Sequence, residues 1–213
     1  MDNLHIFLGA TVADAAARLL HWVYDPKKLK EYIKGKKDIT FMKKNKSPFY
    51  SIKTGNVSAY NDVGQVMFET LVSTKKKSDI LKNFKKNIIK NFGPGSAYWR
   101  NLKLRKKYKK IKWKGPINGP WIHQNILETI QNIKSRKNTT GGTKVNESDG
   151  YCAALPYYLY YNSEKDLKKV IKSVANSKIN ETYALAKLKI INFANDGDEN
   201  AVRSFVKKYG KNR

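Results

Sequence analysis

Apolar positions recur at helical spacing along most of the chain. Val63, Val66, Met67 and Leu71 share one face between Asp62 and Ser73, and Leu81, Phe84 and Ile88 repeat the pattern between Asp79 and Asn91, predicting a helical hairpin. From Trp121 onward, Ile122, Ile126, Ile130 and Ile133 recur in the same way. The last third is the most regular. Leu167, Val170, Ile171 and Val174 stand at i, i+3, i+4 and i+7 behind Ser163 and Asp166, which resemble a capping box. Ala184, Leu188 and Ile191 mark another helix, and Val202, Phe205, Val206 and Tyr209 a last one, with Asp196 and Glu199 as its expected cap.

Two segments lack a clear polar face. Asn3 to Tyr24 is rich in alanine and leucine, and its small residues cover most of a helical surface, which predicts a helix buried in the middle of the domain. Ser148 to Tyr161 is apolar and aromatic and reads as a second central helix, although Tyr157, Tyr158, Tyr160 and Tyr161 would also suit a strand. Breakers separate these elements. Asp25-Pro26 starts a short helix that Gly35 stops, residues 36–55 read as loop, Gly93-Pro94-Gly95 ends the hairpin, and Asn138 to Gly142 reads as a flexible polar loop. No fixed-period repeat is present. The expected architecture is all-α, one compact multi-helix domain over residues 1–213.

Composition changes the picture in two places. No apolar run approaches the roughly 20 residues needed to span a bilayer, and no basic stretch precedes an apolar one at the N-terminus, so a cytoplasmic protein without membrane contact is expected. Cys152 is the sole cysteine, which excludes an internal disulfide. The formal charge of +26 directs attention to anionic partners. However, only 6 of the 43 basic residues are arginine and the lysines are spread throughout, as on a generally lysine-rich solvated surface. The densest run holds Lys103, Arg105, Lys106, Lys107, Lys109 and Lys110 with Tyr108 and Trp113 between cations, so a nucleic-acid-binding module stays open as an alternative.

Several motifs occur in a particular order: GATVADAAARLLHWVYD from Gly9, GNVSAYNDVGQVMFETL from Gly55, FGPGSAYW from Phe92, GPWIH from Gly119 and ESDGYCAALP from Glu147. Together they resemble the ADP-ribosylglycohydrolase family, in particular its J-crystallin branch, over most of the chain up to about Ala186. The resemblance implies a helical domain holding two Mg²⁺ ions that help water break the bond joining ADP-ribose to a protein side chain. ADP-ribose or an ADP-ribosylated protein is the implied partner. It also implies that the C-terminal part of the family fold is missing here.

Carried over by position, the family's metal ligands are mostly absent. The early Thr-Asp-Asp falls on Asn61, Asp62 and Val63, and the first-helix Glu falls on His21, a nitrogen ligand ill-suited to Mg²⁺. The late Asp-x-Asp-Thr has no counterpart, Asp196-Gly197-Asp198 lacking the threonine. Asp62 is therefore a relic metal ligand, with Asn61 beside it, or else the cap of the helix that begins there. Asp14 either helps organise the cleft or accepts a helix-to-loop hydrogen bond. His21 and His123 read as hydrogen-bonded interior residues, and Cys152 as a small buried side chain. Ser148, Asp149 and Gly150 match the family segment lining the ADP-ribose pocket, joined in that role by Asp14 and His21, and also suit a helix N-terminus. Three functions follow as expectations: a catalytically impaired member with a structural or ADP-ribose-binding role and no retained Mg²⁺, a weakly active Mg²⁺-dependent hydrolase drawing on Asp14 or Asp198, and the nucleic-acid module.

Overall fold

The computed structural model describes residues 4–161 and 163–210, so Asn3, where the first helix is expected to start, lies outside the described residues. The chain folds as the mostly helical assembly its periodicity predicts. α1 (Leu4–Ala17) continues into a 3-10 turn at Arg18–Leu20, and α2 (Pro26–Ile33) follows. The Asp25 carboxylate caps α2 by accepting the N–H groups of Lys27 and Lys28 at 2.9 and 3.4 Å, and Pro26 takes the first helical position. α3 (Ala59–Ser73) and α4 (Ile80–Phe92) form the predicted hairpin.

α5 (Ala97–Lys110) was not legible in the sequence. The Ser96 hydroxyl accepts the Trp99 N–H at 3.1 Å to start it, but its buried stripe is only Tyr98, Asn101 and Leu102, and lysine and arginine crowd its other faces. Two-residue strands, β1 (Tyr50–Ser51) and β2 (Ile117–Asn118), pair in parallel with Tyr50 opposite Ile117 and tie the 36–55 segment to the chain after α5. α6 (Gln124–Lys134), α7 (Asp149–Tyr161), α8 (Leu167–Val174), α9 (Lys178–Asn195) and α10 (Ala201–Tyr209) complete the chain.

The centre of the assembly is α7, which packs against α1, α3, α8 and α9. Ala153, Ala154 and Leu155 are buried along it, among Val63 and Met67 of α3, Phe84 and Ile88 of α4, Ile126 and Ile130 of α6, and Val170 and Ile171 of α8. The tyrosine run is helical. Pro156 lies inside α7 and has no N–H to donate to the Cys152 carbonyl. Gly64 of α3 lies against that carbonyl, where an added Cβ would sit 3.1 Å from it.

Several details differ from expectation. α1 is covered on one side only: Phe7, Ala15 and Ala16 face the core, while Leu8 and Val12 are 54% and 58% exposed. Alanine and glycine make a helix look apolar all round without giving it much side chain to bury. Asp62 does not cap α3, because Ser58 holds that position and Asp62 lies in the first turn. The capping box at Ser163 is not formed: Asp166 takes a left-handed conformation at φ +69° without capping, and the Ser163 hydroxyl accepts the Lys165 N–H instead. At α10, Asn200 takes the cap position and Asp198 accepts the Asn200 N–H, so Asp196 and Glu199 are not the cap.

The segment expected to be a flexible loop is also held in place. Thr140, Gly141 and Gly142 are buried beside the end of α8, with the Gly141 N–H donating to Lys172 O at 3.0 Å and Gly142 bridging Ala175. A Cβ on Gly141 would lie 2.4 Å from the Lys172 carbonyl oxygen, so only glycine allows that approach. Among the described residues, no helix is long and apolar enough to cross a membrane.

Candidate functional site

The motif-bearing segments converge where the end of α1, the loop before α3 and the N-termini of α6 and α7 meet. Arg18 anchors this region although only 2% of its surface is exposed. Its Nε donates to Asn56 O at 2.9 Å, its Nη2 to Ile52 O at 3.1 Å and Lys53 O at 2.7 Å, and its Nη1 to Asn45 Oδ1 at 3.3 Å. The guanidinium thereby holds the 45–56 loop against the end of α1, and burial lowers its pKa. The sequence carried no sign of this beyond an arginine in an otherwise apolar helix.

Each family-matched position has a protein partner. The Asp14 carboxylate accepts the Ser58 N–H at 2.6 Å and the Ser58 hydroxyl at 2.7 Å, the helix-to-loop role considered for it. Asn61 is buried, donating to Thr11 Oγ1 at 3.0 Å and accepting from Gln65 Nε2 at 3.0 Å. Asp62 accepts a short hydrogen bond from the Tyr98 hydroxyl. Burial pushes Asp62 up to about 6; Tyr98 opposes that shift and Asp14 adds to it. Val63 is fully buried in the core.

His21 Nδ1 lies 2.8 Å from the Tyr50 hydroxyl. Burial, reinforced by His123 and Arg18, pulls His21 down to about 4, so it is neutral at physiological pH. Aromatic rings close over it: Trp22 at 4.5 Å, Tyr60 at 5.8 Å and Tyr50 at 6.0 Å between centroids.

The densest polar grouping lies at the start of α7. His123 and Asp149 are both buried, with Nδ1 to Oδ1 at 2.8 Å. Asn125 Nδ2 donates to Asp149 Oδ2 at 3.4 Å, and the Asn125 N–H donates to Glu147 Oε2 at 3.2 Å. Burial alone would lower His123, but Asp149 and Glu147 outweigh it and raise its pKa; burial and Asp149 raise Glu147. Tyr60 lies on the imidazole at 3.9 Å. The donor atoms of His123, Glu147 and Asp149 lie within 4.8 Å of one another, and among the described residues no other such trio of possible ligands occurs. One imidazole and two carboxylates suit a transition-metal ion better than Mg²⁺. The 26 residues between His123 and Asp149 hid this pairing from a sequence reading.

Beside it, the Ser148 hydroxyl accepts from Lys187 Nζ at 2.9 Å. Gly150 packs under α8, where an added Cβ would meet Ile171 Cγ2 at 2.9 Å. Cys152 has its thiol pushed far up by burial, as suits a packing residue. Asp198 sits apart from this region, in the turn before α10.

The cationic run lies elsewhere, on α5. A cavity of about 590 Å³ opens there, and the helix divides its cations: Arg105, Lys106 and Lys109 line the cavity, whereas Lys103, Lys107 and Lys110 do not. Arg105 lies over Trp121, with Cζ 3.5 Å from the ring centroid, and burial lowers it to about 10.

The chain is similar to two curated proteins of Tripedalia cystophora, Crystallin J1B and Crystallin J1A, each 28% identical over 173 residues. The match covers 81% of this chain and 50% of each crystallin, so the chain spans about half the length of the relatives it matches. No family model matches, and no solved structure matches.

Proposed function

We propose that this chain is a structural, crystallin-like relative of the ADP-ribosylglycohydrolases that does not hydrolyse ADP-ribosyl bonds. The similarity to the two crystallins supports the structural half of this reading. The observation that carries the non-catalytic half is the state of the three positions matching the family's early metal motif. Val63 is sealed in the core, Asn61 is committed to Thr11 and Gln65, and one carboxylate oxygen of Asp62 is taken by the Tyr98 hydroxyl.

Mg²⁺ demands near-octahedral oxygen coordination, and a pair of ions needs several carboxylates. Here Asp14 is tied to Ser58, and His21 offers nitrogen where the family has Glu. The residues present do not fit a Mg²⁺ pair. ADP-ribose itself also meets an unfavourable end of α7. A helix N-terminus favours anions, but Asp149 and Glu147 already place carboxylates there, and a diphosphate beside them would be repelled.

Two measurements test this reading. The chain is incubated with ADP-ribosylated protein and Mg²⁺, and ADP-ribose is titrated into it by calorimetry with and without Mg²⁺. Neither release nor binding heat is expected. Mg²⁺-dependent release that Asp62→Ala abolishes would establish a weakly active hydrolase instead, and saturable binding without release would establish an ADP-ribose binder.

A further inference from the structure

The cavity beside α5 holds a combination that the crystallin reading leaves unused. Its floor is the stacked pair of Arg105 and Trp121, with Phe49 against Trp121 at 5.9 Å between ring centroids. Arg105 donates to the Ile122 carbonyl at 3.4 Å, yet among the described residues no carboxylate pairs with it. A half-buried guanidinium without a counter-ion is unfavourable, and an arriving anion would offset that cost.

The rim is built as well. Lys112, at φ +53°, turns the chain after α5, and the Trp113 N–H donates to Tyr108 O at 3.0 Å. The Trp113 indole comes back to 5.5 Å from the Tyr108 ring, with Gly115 beneath it. A Cβ on Gly115 would lie 2.9 Å from the indole, so the missing side chain makes room for the ring. Trp113 remains 55% exposed and presents an open aromatic surface beside Lys106 and Lys109. No acidic residue lines the cavity.

We propose that this cavity binds single-stranded nucleic acid, a base stacking on the Trp113 surface and the adjoining phosphates meeting Arg105, Lys106, Lys109 and Lys114. Single strands are gripped by alternating aromatic platforms and cations, whereas a duplex keeps its bases stacked inside. The cavity volume of about 590 Å³ falls within the roughly 300–1,000 Å³ usual for small-ligand sites, enough to admit a splayed base. The proposal does not depend on the crystallin reading, and absence of hydrolysis leaves it standing.

The arrangement on α5 supplies its own control, because Lys103 and Lys107 sit on the same helix but outside the cavity. Fluorescence anisotropy with a labelled short oligothymidylate reads binding across a salt series, with circular dichroism checking that each variant is folded. Four lining cations predict a log–log salt slope of about 3, at roughly 0.7 per phosphate. Trp113→Ala is expected to weaken binding about tenfold, the usual effect of removing one stacking platform. Lys106→Glu with Lys109→Glu should weaken it at least as much, whereas Lys103→Glu with Lys107→Glu makes the same change in net charge and should cost less than about threefold. The matched duplex should bind more weakly than the single strand. No binding at low salt, equal losses from the two charge reversals, or a neutral Trp113→Ala would each overturn the proposal.

Discussion

Replacing Arg18 with methionine separates the 45–56 loop from the helical core. Methionine fills the space of the aliphatic stem, so packing is largely kept, while four hydrogen bonds of 2.7 to 3.3 Å disappear. Hydrogen bonds from a charged donor are each worth about 1.5–3 kcal/mol net. Against that sum stands the cost of desolvating the guanidinium, several kcal/mol for an ion at this depth. Ile52 is only half-buried, and Lys53 and Asn56 are exposed, so water recovers part of the loss at their carbonyls.

The expected net loss is about 3 kcal/mol. Urea unfolding should show it as a midpoint lower by about 1 M, taking a slope near 3 kcal/mol/M for a chain of this size. Limited proteolysis should cut the 45–56 segment faster in the variant. Arg18→Lys should restore little, because a single ammonium cannot reach acceptors arranged for a planar fork. A variant within about 0.5 kcal/mol of the parent with an unchanged cleavage pattern would refute the idea that Arg18 holds the loop.

Two further outcomes follow from the same region. Asp62 titrates at about 6 in the folded chain against an ordinary 3.8, so the folded state holds the extra proton between those values. Its contribution is full below pH 3.8 and is lost as pH rises through about 6, so Asp62→Asn should gain on the parent by about 3 kcal/mol across that window in paired urea titrations. A flat difference would show that Asp62 is not buried as described. Gly142→Ala would put a Cβ 2.6 Å from Asn125 Cα, a backbone atom that cannot swing aside. A Tm lower by roughly 5 °C is expected, corresponding to about 2 kcal/mol of overpacking. An unchanged melt would mean that the close approach of residues 140–142 is not present.

What the sequence settled by itself were the elements whose signals are local. Asp25-Pro26 encodes its own cap, and the spacing of Phe84 and Ile88, or of Val170, Ile171 and Val174, defines a face whatever lies opposite it. The order of the motifs also marked out the segments that meet around Asp14, Asp62 and Asp149.

Which face of α1 is covered depends on where α3 and α7 come to rest, and alanines on every side give no preference. The burial of Thr140 to Gly142 depends on α8 lying beside them, although their polarity suggested open solvent. The pairings Asp14 with Ser58, Asp62 with Tyr98 and His123 with Asp149 span 44, 36 and 26 residues. Local periodicity carries no information about such separations. Only the packing of the helices decided which buried polar groups would find one another, because each had to be satisfied by whatever the fold brought within reach.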